Sequence, residues 1–343
     1  MSLAGYELFA ILGFIFAAYS VIANDSIQTL GTFLASNSDR HWTILWLYAS
    51  SIILIIMAYG YFGNAGDIAF GRLNKIPYPD TGIQWWHALP PLVLLFLTRY
   101  GIPVSTTFLV LTIFATTGGA STEGVLGKMV LKSALGYVVA FGAAAVVYAL
   151  ISRSWERWIS KTRGAPLGSM WVVLQWLSTA FLWSQWLMQD LANIFVFLPR
   201  ETVASAGDVA VTFSPAMLVF ATIVIVLVQG YTFATRGGEI QKIVLTKVNT
   251  TDIRAATVVD FIYGLILLFF KELNDIPMST TWVFLGLLAG REMAISIVAN
   301  LRENREAFFD VSTDVGRAFF GLIVSVVLAF GMPWIATGQI PSF

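Results

Sequence analysis

Residues 101–108 read GIPVSTTF, and residues 275–282 read DIPMSTTW. Each stretch places a proline and three hydroxyl residues, one Ser and two Thr, next to strongly apolar sequence. Proline breaks a helix interior but suits a first helical turn, and Ser and Thr are good N-terminal caps. The two stretches therefore predict two helix breaks, each followed by a new helix that begins at the hydroxyl residues.

The composition around these stretches is that of an integral membrane protein. The 343 residues are 57% hydrophobic and 12% charged, with a mean hydropathy of +0.76, whereas soluble domains carry about 25% charged residues. Apolar runs long enough to cross roughly 30 Å of hydrocarbon lie at 43–62, 133–151, 214–229 and 318–337. We therefore expect an all-α polytopic protein, multi-pass in the inner or plasma membrane.

The sequence lacks the residues that several other functions need. Cysteine is absent, and neither His41 nor His87 has a second ligand at metal-binding spacing. Twenty Lys and Arg balance 20 Asp and Glu, so the charge indicates no nucleic-acid partner. A membrane-embedded enzyme needs a nucleophile with a base, or a metal set. We therefore expect no enzyme activity, no catalytic residue and no organic cofactor.

The two proline stretches belong to a longer internal repeat. ANDSIQTLGTF at 23–33 matches MQDLANIFVFL at 188–198, in the same order and at a similar spacing as the proline stretches. Internal repeats of this kind indicate a duplicated architecture. The predicted units are a first repeat, 1–151, a basic linker, 152–167, and a second repeat, 168–343.

The relation between the repeats follows from the number of membrane crossings. If each repeat crosses an odd number of times, the two are inverted, with broken helices or re-entrant hairpins around the two P-x-S-T-T motifs. The segments 84–100 and 104–117 are short for full spans. The stretch 152–166 is the most basic short loop, so the positive-inside rule puts it in the cytoplasm.

The hydroxyl residues of the two motifs are candidate anion ligands. The first N–H groups of a helix lack intrahelical partners and carry the positive end of its dipole, so such an end attracts anions. Two such ends would hold a small oxyanion without a buried arginine. A plain kink, with hydroxyls bonded to the preceding turn, is the alternative, and the repetition argues against it. The candidate ligands are Ser105, Thr106, Thr107, Ser279, Thr280 and Thr281.

The repeated amide-aspartate motif supplies candidate cation ligands. Asp25 and Asp190 each follow an amide residue, and each has another amide three residues later, on the same helical face. A carboxylate with amide and backbone oxygens suits Na⁺, and ionisable residues in spans are usually functional. The alternative is that both aspartates only cap a helix at the interface. The candidate cation ligands are Asn24, Asp25, Gln189 and Asp190, with Na⁺ at Asp25 and Asp190, and the later amides, Gln28 and Asn193, join the anion ligands.

These motifs resemble those of the inorganic phosphate transporter (PiT) family, which repeats a G-A-N-D-V-A-N-A-type and a P-V-S-T-T-H-type motif in two inverted halves. The resemblance implies a cation-coupled importer that forms a homodimer, with phosphate held by the Ser/Thr stretches and coupling cations held by Asp25 and Asp190. Two features depart from the family pattern. Phe108 and Trp282 replace the histidine that usually follows S-T-T, and each Asp motif has glutamine at one asparagine position.

The sequence therefore predicts a secondary active transporter that imports a small inorganic oxyanion, with phosphate the first choice and Na⁺ or H⁺ as the coupling ion. A sulfate permease of the same fold and an uncoupled anion channel are the alternatives. Phosphate that keeps a proton can donate a hydrogen bond to a carboxylate, whereas sulfate cannot, so direct contact with Asp25 or Asp190 favours phosphate. If cations occupy both carboxylates and the anion meets only donors, sulfate is equally plausible. The expected partners are the anion, Na⁺ or H⁺, membrane lipid and a second copy of the chain.

Overall fold

The structure is a computed structural model. It describes residues 2–3, 6–100, 102, 104–117, 124–162, 168–205, 208–236, 252–300 and 303–339. The side chains of residues 2–3, 6, 156, 160, 203–205, 208–209 and 299 are outside this description.

Over the described ranges the fold is helical, with two short antiparallel β-hairpins, β1–β2 and β3–β4. Two π-helical turns, Ile22–Ser26 and Thr107–Leu111, adjoin α2 and α5, a third, Ile295–Ala299, follows α11, and a 3₁₀ turn, Trp85–Ala88, precedes α4. The strands are β1 Ser2–Leu3, β2 Tyr6–Glu7, β3 Glu201–Ser205 and β4 Asp208–Thr212. The helices are α1 Leu8–Val21, α2 Ile27–Ser36, α3 Trp42–Gly63, α4 Leu89–Arg99, α5 Thr112–Thr117, α6 Val125–Lys161, α7 Ser169–Asp190, α8 Ala192–Phe195, α9 Pro215–Ala234, α10 Ile253–Leu273, α11 Thr280–Ala294 and α12 Asn304–Thr337.

Seven helical segments within the described ranges are long and apolar enough to cross a membrane. They are Leu8–Ser36, Trp42–Gly63, Val125–Ile159, Pro215–Ala234, Ile253–Leu273, Thr280–Val298 and Asn304–Thr337. The four apolar runs noted in the sequence coincide with four of them. The chain is an integral, multi-pass membrane protein, as the composition predicts.

Helices at matching places along the two predicted repeats make matching contacts. In the first repeat α1 packs on α4, and in the second α7 packs on α10. The last long helix of each predicted repeat packs on a helix that follows the break in the other repeat: α6 packs on α11, and α12 packs on α5. The helices α3 and α9 pack on each other. The two repeats and their inversion remain predictions. The predicted linker begins as helix, since α6 continues to Lys161, and residues 163–167 lie outside the described ranges.

Both predicted helix breaks are present. In the first, α4 ends at Arg99 and helix resumes at Thr106. In the second, α10 ends at Leu273 and α11 begins at Thr280. Pro103 lies outside the described residues. Short segments flank only the first break: α4 has 11 residues, whereas α10 has 21, so the second break separates two helices that could each span.

Glycines on α11 allow its close approach to α6, and this contact positions the N-terminus of α11. A Cβ atom added at Gly290 would lie 2.1 Å from the Phe141 carbonyl oxygen, and one at Gly286 would lie 2.3 Å from the Tyr137 carbonyl oxygen. Both obstacles are backbone atoms, which a side-chain rotation cannot move away. Small residues are the usual means of bringing membrane helices into backbone contact.

Replacing Gly290 with alanine is therefore expected to lower the free energy of unfolding by about 1–3 kcal/mol, the usual cost of overpacking. The matched control is Gly142→Ala on α6, because a Cβ atom there meets nothing within 4 Å. That change is expected to be neutral or stabilising by up to about 1 kcal/mol. Thermal unfolding in detergent measures both. Equal stability of the two variants would contradict the close-packing argument.

Candidate functional site

The two aspartates of the repeated motif lie inside the protein. Asp25 is 1% exposed and Asp190 is 0% exposed. Asp25 sits in the π-helical turn Ile22–Ser26 between α1 and α2, and Asp190 is the last residue of α7. Such π-helical turns interrupt the regular hydrogen-bond ladder and are frequent at functional sites. Neither aspartate therefore caps a helix at the protein surface, which was the alternative interpretation of the motif.

One threonine and one asparagine bridge the two carboxylates. The Thr106 hydroxyl donates to Asp25 Oδ2 at 2.6 Å. Asn193 Nδ2 lies 3.0 Å from Thr106 Oγ1 and 2.9 Å from Asp190 Oδ1. Asn24 Nδ2 completes the arrangement by donating to Asp25 Oδ1 at 2.5 Å. Residues from both predicted repeats thus form one buried polar network.

The same network joins the two helix breaks. Thr107 Oγ1 lies 3.0 Å from the Met278 carbonyl oxygen in the second break and 3.2 Å from Asp190 Oδ1. Thr281 Oγ1 donates reciprocally to the Val104 carbonyl oxygen in the first break at 3.2 Å. The Asn24 amide also donates to Val104, at 2.9 Å. Each break is therefore held by a threonine from the other one.

Several buried oxygens of this network have no hydrogen-bond partner within the described ranges. They are Asn24 Oδ1, Asp190 Oδ2 and Asn193 Oδ1. The Thr280 side chain also interacts with the Asp190 carboxylate. Buried polar atoms are normally paired, and a buried charge without a partner costs several kcal/mol. Carboxylate and amide oxygens are ligands suited to hard cations, so this set fits Na⁺.

The serines of the two motifs act as helix caps. Ser105 Oγ accepts from the Phe108 backbone N–H at 3.1 Å, and Ser279 Oγ accepts from the Trp282 backbone N–H at 3.2 Å. Phe108 and Trp282, which stand where the resembling family has histidine, touch each other. The rings of Phe108 and Trp282 meet edge to face, with centroids 5.5 Å apart. The caps fix the first turns that carry the threonines.

The two glutamines of the aspartate motifs lie differently. Gln189 Nε2 donates to the Leu267 carbonyl oxygen of α10 at 2.9 Å, so its donor is used outside the network. Gln28 is buried, and its Nε2 has no partner among the described residues. A buried amide N–H without an acceptor is a donor that an anion could use. The structure thus joins Asn24, Asp25, Thr106, Thr107, Asp190 and Asn193 by direct hydrogen bonds, and leaves the Gln189 amide N–H outside that network.

Sequence reasoning missed several buried charged residues, among them Asp260, Arg72 and Lys132. Asp260 on α10 is 0% exposed and accepts from the Thr32 and Thr179 hydroxyls at 2.5 and 2.7 Å. Arg72 and Lys132 are also buried, and Arg72 interacts electrostatically with Asp190. The prediction that helix ends hold the anion without a buried arginine did not take Arg72 into account, and it remains a prediction. An acidic residue inside the apolar sequence 253–270 was the available signal for Asp260.

Comparison with solved structures identifies the fold. The structure is similar to one described as "The sodium-dependent phosphate transporter", with a TM-score of 0.55 and 15% sequence identity, over 97% of this chain and 98% of that chain. No family model matches this chain. No curated protein matches its sequence. The predicted resemblance in fold, an all-α membrane architecture, is confirmed over nearly the whole length.

Proposed function

We propose that this chain is a secondary active transporter that imports a small inorganic oxyanion, phosphate, with Na⁺ as the coupling cation. The observation that carries the proposal is the buried pair Asp25 and Asp190, bridged by Thr106 and Asn193 and surrounded by acceptor oxygens without partners. The similarity in fold to a protein described as a sodium-dependent phosphate transporter supports it.

The two carboxylates account for the coupling. Neither forms an ion pair with a Lys or Arg in the part of the chain that the structure describes, so the pair repels an approaching anion until cations neutralise it. Na⁺ bound by Asp25, Asp190 and the neighbouring amides Asn24 and Gln189 would remove that repulsion. Anion binding then depends on prior or simultaneous cation binding, which is the condition for co-transport. An uncoupled channel would not need this arrangement.

The threonines account for the anion. In the structure the Thr106 hydroxyl donates to a carboxylate and the Thr281 hydroxyl to a carbonyl oxygen. Cations on the carboxylates would free hydroxyl hydrogens for an oxyanion at the start of the two half-helices. The proposed anion ligands are Ser105, Thr106, Thr107, Ser279, Thr280, Thr281, Gln28 and Asn193.

Direct contact between the anion and one of the two carboxylates would favour phosphate over sulfate. A phosphate that keeps one proton can donate a hydrogen bond to Asp25 or Asp190, whereas sulfate has no proton to donate.

Alternating access would arise from rocking of the two predicted inverted repeats, 1–151 and 168–343, about this site. The homodimer remains a prediction from the family resemblance.

Uptake by purified protein in proteoliposomes tests the proposal. We expect labelled phosphate to accumulate against its gradient when external Na⁺ exceeds internal Na⁺. Excess arsenate should compete strongly, and sulfate and bicarbonate weakly. Stronger competition by sulfate than by phosphate would indicate the sulfate permease, and flux indifferent to Na⁺ and H⁺ gradients would indicate the channel. The absence of oxyanion uptake under any cation gradient would contradict the transporter proposal.

A further inference from the structure

Two buried cations hold the break that precedes α11. Lys132 of α6 donates through Nζ to the Asn274 carbonyl oxygen at 2.9 Å, to Asn274 Oδ1 at 2.9 Å and to the Ile276 carbonyl oxygen at 2.8 Å. Arg72, in the loop after α3, donates to the carbonyl oxygens of Asn274 at 2.5 Å and Lys271 at 3.3 Å. Their side chains therefore fix the C-terminal end of α10 and the chain that leads to Thr280.

Helix capping explains these hydrogen bonds, because cations are favourable beside the last carbonyls of a helix. Helix capping does not explain why two positively charged side chains are buried together at this place. Neither side chain forms an ion pair with a carboxylate in the described ranges. The two cations repel each other, and the Asp275 carboxylate acts favourably on both. Burial lowers the pKa of Arg72, while Asp275 and Asp190 act on it in the opposite direction.

Arg72 also retains unused donors. Its Nε–H is buried and has no partner among the described residues, and the side chain is 1% exposed. A guanidinium carries five N–H groups, and Nη2 makes a single long hydrogen bond at 3.3 Å. Nε and Nη2 form the edge that binds an oxyanion through two parallel hydrogen bonds. Arg72 therefore has donors that an oxyanion could use.

We propose that Arg72, held beside Lys132, forms an anion-binding subsite next to the Asp25–Asp190 network, where the transported oxyanion binds on its way to or from the threonines. This inference rests on the proposed function and names a further residue for it. Arg72 interacts electrostatically with Asp190 and is bonded to the same break that ends at Thr280. It thereby supplies positive potential on the side of the site where two carboxylates would otherwise repel the anion.

The test compares three variants by equilibrium binding of labelled phosphate to purified protein at saturating Na⁺. We expect Arg72→Gln to raise the phosphate Kd about tenfold or more, the value of one charge-assisted hydrogen bond. Arg72→Lys keeps the charge but loses the two-donor edge, so its Kd should rise roughly threefold and lie between those of the wild type and Arg72→Gln. Thermal unfolding of each variant establishes that it is folded.

Arg200→Gln is the matched control. Arg200 also donates to backbone carbonyls, those of Val196 at 3.0 Å and Ile76 at 2.7 Å, and its Nε is also without a partner in the described ranges. Its electrostatic partners are Tyr78 and Asp67 instead of a site aspartate. We expect its phosphate Kd to stay within about twofold of the wild type, because general capping is all it loses.

The outcomes separate the subsite from the transporter proposal. Phosphate binding by the wild type with an unchanged Kd in Arg72→Gln, or an equal rise in Arg200→Gln, overturns the subsite and leaves the proposed function standing. No oxyanion binding by the wild type overturns both. If Arg72→Gln does not fold, Arg72→Lys decides alone: a Kd raised about threefold supports the subsite and an unchanged Kd overturns it.

Discussion

Replacing either Asp25 or Asp190 with asparagine is expected to reduce Na⁺-driven phosphate uptake by at least about 100-fold. Asparagine preserves the shape of the side chain but removes the charge that would hold Na⁺ in a fully buried place. Loss of one partner from a buried pair of opposite charges, here the carboxylate that would bind Na⁺, costs about 3–5 kcal/mol. Each 1.4 kcal/mol is a factor of ten in affinity. Initial rates of uptake, measured over a range of Na⁺ concentrations, give the loss.

The control for this pair is Asp39→Asn, at an exposed position after α2 that takes no part in the network. Its uptake should equal that of the wild type. Retention of Na⁺-dependent uptake by Asp25→Asn or Asp190→Asn at a rate near that of this control would mean that the motif does not hold the coupling cation. Thermal unfolding distinguishes such a result from a difference in the amount of folded protein.

Replacing Thr106 with valine is expected to weaken phosphate transport at least about tenfold in kcat/KM. The methyl group that replaces the hydroxyl cannot donate to Asp25 Oδ2 or accept from Asn193, so both halves of the bridge lose a partner. An unsatisfied buried group costs about 1–3 kcal/mol, more when it is charged. Thr106→Ser keeps the hydroxyl and should retain most of the activity.

Thr116→Val is the matched control for this substitution, because Thr116 is a buried threonine at the other end of the same half-helix. Its hydroxyl bonds to the carbonyl oxygens of Ile113 and Ala329 and touches neither carboxylate. Its effect should fall on stability more than on the phosphate KM. Equal losses of transport in Thr106→Val and Thr116→Val, or a loss in Thr106→Ser as large as in Thr106→Val, would contradict the bridging role.

The parts of the fold that could be predicted are those set by local chemistry. A Pro two residues before Ser-Thr-Thr, twice, is enough to place the starts of two helices, and the capping bonds of Ser105 and Ser279 are the reason. The apolar runs mark spans because the hydrocarbon thickness fixes their length. The aspartate motif, found by its repetition, also identifies residues that are buried and joined to the threonines.

The parts that could not be predicted depend on contacts between distant segments. Nothing near Arg72 in the sequence indicates that its partner is the carbonyl of Asn274, and Lys132 resembles an ordinary residue at the start of a span. The helix α6 also continues past the expected boundary at 151, because the basic residues after it are compatible with helix. Length and charge alone do not say where a membrane helix leaves the lipid.

The most direct test of the central claim is the reciprocal dependence of Na⁺ and phosphate binding. Binding linkage requires each ligand to change the affinity of the other by the same factor. We predict that Na⁺ lowers the phosphate Kd of purified protein, that phosphate lowers the Na⁺ Kd equally, and that Asp25→Asn with Asp190→Asn removes both effects. Phosphate binding that is as tight without Na⁺, or a coupling that survives loss of both carboxylates, would contradict the account.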